Sequence, residues 1–234
     1  MSRFGLGFLP HGGGNDQYTK ILLHMDGTNG GTSFPDVNVG GSAHTWTAHS
    51  ATTVTSGQKF GTAIMQSPYI DTPASSDFNL GTRDWTIDFW FDMLGLGAGT
   101  NRAIAGQVPG GLGPASNTSF FLVFLTTNKI RLTTSDGTTN PLITGSTAIT
   151  AAGLHHLEIC RTGNFLQMYL DGVKDATDVS MSGTIPSSSA KFAVGRAGED
   201  TTNPSFAGLI DEFRLSVGIA RHTANFTPPT SAYS

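Results

Sequence analysis

Short segments in which apolar and polar residues alternate run along most of this chain, with turn-forming residues between them. The clearest of them is 85–91 (WTIDFWF), in which every second residue is Trp, Ile or Phe. Successive side chains of a β-strand point to opposite faces of a sheet, so this alternation predicts strands with one apolar and one polar face. No segment of useful length repeats its apolar residues with a helical period. The pattern therefore predicts an all-β protein.

Composition and turn chemistry agree with this prediction. Only 13% of the residues are charged, 30 are Gly, and Glu occurs three times, whereas helical proteins are rich in Glu and Lys. Asp171-Gly172 and Gly163-Asn164 are dipeptides typical of tight hairpin turns. Residues 95–117 are rich in Gly and Pro and predict a long surface loop. The candidate strands are 20–25, 59–65, 85–93, 119–124, 129–134, 155–161, 165–170, 191–195 and 206–216.

Two antiparallel sheets, each with one wet face, would give this alternation when packed as a β-sandwich. On the last strand, parity places Leu209, Phe213 and Leu215 on one face. Asp211 shares that parity, so its carboxylate is expected to point inward unless the strand bulges.

The 234 residues fit one sandwich domain, residues 19–234, preceded by an extended arm, residues 1–18. Within the arm, Gly separates apolar residues that have no place in a sandwich core. We expect these residues to attach the protein to another subunit; they are Phe4, Leu6, Phe8 and Leu9.

The charges are few and scattered, with a formal net charge of -4 and no basic cluster. This argues against nucleic acid or an anionic membrane as the main partner. The longest apolar run, 120–125 (FFLVFL), is too short to cross a bilayer, and no signal peptide is visible. The single cysteine, Cys160, excludes an intrachain disulfide.

Catalytic motifs are missing from the sequence. A glycosidase needs two carboxyl groups about 5–10 Å apart, whereas Asp88 and Asp92 are separated by about 13 Å along an extended strand. Glu158 and Glu212 could still meet across strands. No nucleophile elbow, phosphate-binding loop or zinc-ligand spacing is present. The sequence therefore predicts a protein that is not an enzyme.

Five stretches, in a fixed order, resemble the concanavalin A-like, laminin G-like jelly-roll modules found in structural proteins of tailed bacteriophages. The stretches are 21–36 (ILLHMDGTNGGTSFPD), 59–65 (KFGTAIM), 85–91 (WTIDFWF), 166–173 (LQMYLDGV) and 206–229 (FAGLIDEFRLSVGIARHTANFTPP). The resemblance covers about residues 20–229, and ARHTANFTPP is the part most similar to the phage members. It implies two antiparallel sheets in a jelly roll.

The resemblance also implies a possible Ca²⁺ ion, because laminin G-like modules often hold one at the edge of the sandwich. The matching positions are Asp26, Asp36 and Asp211. The alternative is that Asp26 and Asp36 organise turns and that Asp211 accepts backbone hydrogen bonds.

The polar face of the sheet is the predicted ligand-binding surface, because aromatic rings stack on sugars while carboxylates accept hydroxyl protons. The residues expected there are Trp90, Asp88, Tyr169, Glu158 and Arg214. The alternative is that the 95–117 loop covers Trp90.

Taken with the resemblance, these features predict a non-catalytic module on the virion surface: a decoration, fibre or adhesin component present in several copies. Its expected partners are other virion proteins and host-surface glycan. The alternatives are a stand-alone carbohydrate-binding lectin and a divergent glycoside hydrolase.

Overall fold

A computed structural model describes residues 14–94, 96, 99–110 and 118–234. The predicted attachment residues Phe4, Leu6, Phe8 and Leu9 lie outside the described residues. The described end of the predicted arm runs alongside another loop, because the Asn15 side chain bonds the backbone of Val37 and Val39.

The described residues contain sixteen β-strands and one short 3₁₀ turn, Ser76–Phe78. The first eight strands are β1 (Thr19–Leu23), β2 (Thr47–His49), β3 (Thr52–Val54), β4 (Ile64–Gln66), β5 (Tyr69–Thr72), β6 (Trp85–Met93), β7 (Arg102–Gly106) and β8 (Phe120–Phe124). The other eight are β9 (Ile130–Thr134), β10 (Leu142–Thr144), β11 (His155–Thr162), β12 (Phe165–Leu170), β13 (Val173–Lys174), β14 (Val179–Ser180), β15 (Phe192–Val194) and β16 (Gly208–Val217).

These strands form two antiparallel sheets, as the alternation predicts. The nine-stranded sheet has the order β13-β12-β11-β6-β16-β4-β3, with β1 also paired to β16 and β14 to β12. The seven-stranded sheet has the order β10-β9-β8-β7-β15-β5-β2. The arrangement is a concanavalin A-like jelly-roll sandwich. In the part of the chain that the structure describes, no helix has the length and apolar character needed to span a membrane.

The main hydrophobic core lies between the two sheets. The apolar parity set of β6 packs there, and so do the sets of β11 and β12. The turn after β12 has positive φ at both Asp171 and Gly172, 51° and 77°, as the predicted tight hairpin requires.

Strand β16 departs from simple alternation at a β-bulge between Asp211 and Arg214. Glu212 occupies the bulge with a φ of 51°, an uncommon conformation for a residue other than Gly. Ile210 therefore faces the core, while Asp211 lies opposite Trp90 in the register. The predicted inward parity of Asp211 is wrong because one inserted residue reverses the side-chain direction.

The segment 95–117 is not a loop throughout. Strand β7 (Arg102–Gly106) lies inside it and pairs with both β8 and β15. Its Gly-rich flanks obscured this five-residue strand, in which Ala103, Ile104 and Ala105 are fully buried.

After β16, residues 218–234 cross the outer face of the nine-stranded sheet; we call them the C-terminal strap. The Arg221 backbone N–H donates to the Thr86 hydroxyl, and the Tyr233 hydroxyl donates to Asp88. The Phe226 ring packs against Tyr169. The strap therefore covers the sheet face that carries the predicted ligand residues.

Candidate functional site

The five predicted ligand residues do share one face of the nine-stranded sheet. In the register, Glu158 lies opposite Asp88, and Asp88 in turn lies opposite Arg214. All of them are buried, however: Trp90 is the most accessible at 6%, and the other four, Asp88, Tyr169, Glu158 and Arg214, have no exposed surface. The prediction that this face is an open ligand platform is therefore corrected, because the strap lies over it.

The charges on this face pair with one another and with the strap. Arg214 donates from Nε and Nη2 to the two carboxylate oxygens of Asp88, at 3.0 and 2.8 Å. Burial opposes ionisation of Asp88, but the Arg214 guanidinium outweighs it and holds the pKa of that carboxyl below its usual value. Glu158 lies 2.7 Å from His222 Nδ1, and burial raises the pKa of Glu158.

The Trp90 ring is covered from several directions. Lys59 Nζ lies 4.0 Å from its ring centroid, and the rings of Phe60 and His156 lie at 6.2 and 5.1 Å. Trp90 is thus covered, as the alternative expected, but by residues 59–60 and a neighbouring strand. No described contact of the ring involves the 95–117 segment.

His156 on this face makes stability depend on pH. Burial lowers the pKa of His156 from 6.5 to about 4, although the Asp88 carboxylate favours its proton. Between these values the unfolded chain binds the proton and the folded chain does not, so stability falls as the pH falls from 6.5 towards 4.

We expect His156→Gln to reduce that acid-side loss by up to about 3 kcal/mol, at 1.36 kcal/mol per pKa unit. Denaturant unfolding of both proteins at pH 7 and pH 4.5 measures it. Equal losses in the two proteins would contradict the assignment to His156.

The predicted calcium residues bond to protein groups instead of converging. Asp26 accepts from the backbone N–H groups of Thr62 and Ala63. Asp36 accepts from the N–H of Leu22 and lies 2.9 Å from His44 Nδ1.

Asp211 accepts hydrogen bonds from the N–H groups of Lys59, Phe60 and Glu212. Burial raises its pKa to about 7, although the Lys59 and Phe60 N–H groups act in the opposite direction. Among the residues described, no group of three or more His, Cys, Asp or Glu side chains is placed to hold a metal ion. The three aspartates therefore do not fit a Ca²⁺ site in this conformation, and calcium binding stays a prediction.

The outer face of the seven-stranded sheet offers an accessible cluster near its β2 edge. The His49 ring stacks on the Tyr69 ring, with centroids 4.4 Å apart and planes inclined by 12°. About 36% of the His49 side chain is exposed. Ile70, between Tyr69 and Asp71, faces the core, so Tyr69 and Asp71 both point outward. We call His49, Tyr69, Asp71, Lys191 and Arg196 the β2-edge site.

Charged groups fix the geometry of the β2-edge site. Asp71, with 8% of its side chain exposed, lies 3.0 Å from His49 Nε2 and 3.1 Å from Lys191 Nζ. Arg196 Nη1 donates to the Tyr69 hydroxyl at 3.2 Å. Asp71 therefore positions its neighbours from below, while the His49 ring and the Lys191 ammonium, 47% exposed, face solvent.

Sequence reasoning missed the β2-edge site because its residues come from three separate segments. Strand β5 has only four residues and follows Pro68, which makes its alternation weak evidence for a strand. The usable signal was Tyr69 and Asp71 flanking Ile70. Their partners, His49 and Arg196, are brought in only by strand pairing.

Comparison with known proteins places the chain in a family. Residues 60–218 match the Laminin_G_3 model, described as the concanavalin A-like lectin/glucanases superfamily. No curated protein sequence matches the chain.

Among solved structures, similar folds include the binding domain of Paraclostridial Mosquitocidal Protein 1, with a TM-score of 0.63 and 13% identity over 87% of this chain and 50% of that one. A structure of botulinum neurotoxin type C, whose cell entry depends on interaction with two ganglioside molecules, has a TM-score of 0.58 and 10% identity over 87% and 49%. The chain thus spans about half the length of these toxin chains.

A third similar structure is domain 4 of AbnA, a GH43 extracellular arabinanase from Geobacillus stearothermophilus, in complex with arabinotriose. Its TM-score is 0.54, with 15% identity over 87% of this chain and 96% of that one. At these identities the likeness shows the fold, whereas the family match covers well over half of the sequence. The chain belongs to the concanavalin A-like lectin/glucanase superfamily.

Proposed function

We propose that this protein is a non-catalytic module that binds host glycan through the β2-edge site, on the surface of a bacteriophage virion. The glycan part rests on the partly exposed His49–Tyr69 stack, which has the Arg196 guanidinium over the Tyr69 ring and further cationic and hydroxyl groups at its rim. Flat rings favour contact with the apolar face of a sugar, and the surrounding groups bond its hydroxyls.

The similar structures support a binding role. The neurotoxin structure is described by interaction with gangliosides, and the arabinanase domain is bound to arabinotriose. Both ligands contain sugars, and the described residues of this chain have an accessible aromatic surface of the kind that sugars need. Of the four carboxylates considered for catalysis, Asp88, Glu158 and Glu212 are buried and lie against Arg214, His222 and His24. The fourth, Asp92, is partly buried and accepts from the Gly153 N–H.

The virion part of the proposal rests on the resemblance of residues 206–229 to phage structural modules. It includes an attachment role for residues 1–18, through which several copies would bind other virion proteins. Antibody labelling of purified particles tests this placement, and a protein found free of particles would favour the stand-alone lectin.

Removing either ring of the stack should weaken glycan binding. His49→Ala or Tyr69→Ala should reduce affinity for a glycan-array hit about tenfold or more, since a lost stacking contact is worth roughly 1–3 kcal/mol by analogy with base stacking. Phe165→Ala is the matched control, because Phe165 is 49% exposed on the other sheet. Unchanged affinity in both stack variants, or an equal loss in the control, would overturn the site.

A further inference from the structure

A concave surface lies near the β2-edge site, where strands β5 and β15 meet. It is an open cavity of about 420 Å³. Its walls come from Ser75, Ser76 and Asn79 on one side and from residues 187–189, all serine, on the other. None of the described residues that line it has a charged side chain, so its chemistry is that of hydroxyl and amide groups.

The cavity lies at the end of strand β5 that follows Tyr69 and Asp71 of the β2-edge site. Phe192 pairs with Thr72, so residues 73–75 of one segment and 189–191 of the other leave the sheet side by side. Lys191 spans the junction, because its ammonium binds Asp71 on the outer face. From Tyr69 to Ser75 an extended chain would run about 20 Å, at roughly 3.3 Å per residue. That length exceeds a single sugar ring.

One wall of the cavity is held rigidly from beneath. Gln107 is fully buried, and its Nε2 donates to the carbonyl oxygens of Ser188 and Ala190, at 3.1 and 3.0 Å. The Ser188 hydroxyl also accepts from the Ala190 N–H. These bonds fix residues 188–190 before any ligand arrives, which lowers the entropy cost of binding.

We propose that the β2-edge site and the serine-lined cavity form one groove for a linear, uncharged oligosaccharide. The inference rests on the proposed glycan-binding function and adds the length and charge class of the ligand. The His49–Tyr69 stack holds a ring at one end, and the serine and asparagine side chains bond hydroxyls of further units at the other. The Lys191 charge is already paired by Asp71, and the Arg196 guanidinium already donates to the Asp200 carbonyl oxygen and the Tyr69 hydroxyl, so an acidic sugar is not required.

Titration calorimetry with the arabino-, cello- and malto-oligosaccharide series, from one to six units, tests the proposal. In the series that binds, affinity should rise tenfold or more between the disaccharide and the tetrasaccharide. Asn79→Ala and Ser187→Phe should remove this gain and leave disaccharide affinity unchanged. His49→Ala should weaken every member of the series. Melting curves establish that each variant is folded, and none of the three positions is buried.

The outcomes separate the two proposals. Binding that does not depend on length, or that Asn79→Ala and Ser187→Phe leave intact, overturns the groove while the β2-edge site stands. Binding restricted to acidic glycans on an array would overturn only the proposal that the ligand is uncharged. No binding to any of the three series, together with a silent array, overturns the glycan function and the groove with it.

Discussion

Replacing Asp88 with alanine should lower the free energy of unfolding by about 3–5 kcal/mol, because it leaves the buried Arg214 charge without its partner. Asp88 has no exposed surface and receives two hydrogen bonds from Arg214. The Tyr233 hydroxyl donates a third to it, so the same change frees the strap at one of its anchors. Urea unfolding at pH 7 measures the effect.

An exposed ion pair of the same type provides the control. Lys174 and Asp178 lie 2.6 Å apart with about a third of each side chain exposed. Asp178→Ala should cost less than about 1 kcal/mol, since water screens such pairs. A loss in Asp88→Ala no larger than in Asp178→Ala would show that Arg214 finds another partner or solvent.

A double replacement separates the lost attraction from the stranded charge. Replacing Asp88 with leucine and Arg214 with methionine removes both charges, and buried pairs exchanged in this way often lose little stability. We therefore expect the double variant to have a larger free energy of unfolding than Asp88→Ala, even though it replaces one more residue.

Alternation along the sequence was sufficient to predict the fold class and the faces of the long strands. In β6 the apolar set Trp85, Ile87, Phe89 and Phe91 lies in the core, because strand parity depends only on local geometry. The same reasoning failed at Asp211, where a bulge with Glu212 in a left-handed conformation shifts the register. Nothing in the local pattern distinguishes a bulged strand from a regular one.

The candidate site was harder to predict, since burial of a polar face is a long-range property. Alternation correctly grouped Trp90, Asp88 and Glu158 on one face. It could not show that Phe226 and Tyr233, more than sixty residues further along the chain, would cover that face. The accessible stack of His49 on Tyr69 depends on pairing between two very short strands, and short strands carry little sequence signal.

Trp90→Ala should cost about 3–5 kcal/mol of stability, as deletions of buried aromatic side chains do, because the cavity left behind is only partly refilled. The ring is 6% exposed and contacts Lys59, Phe60 and His156. Its Nε1 has no hydrogen-bond partner in the described residues, so the loss reports packing and not a broken hydrogen bond. Phe165→Ala, at a half-exposed ring on the same sheet, should change the stability by no more than about 0.5 kcal/mol.

At a temperature where Trp90→Ala remains folded, its glycan affinity should equal that of the unchanged protein, because the β2-edge site lies on the other sheet. A stable Trp90→Ala protein that has lost glycan binding would mean that the residues covering Trp90 move aside in solution and that the covered face is the binding surface.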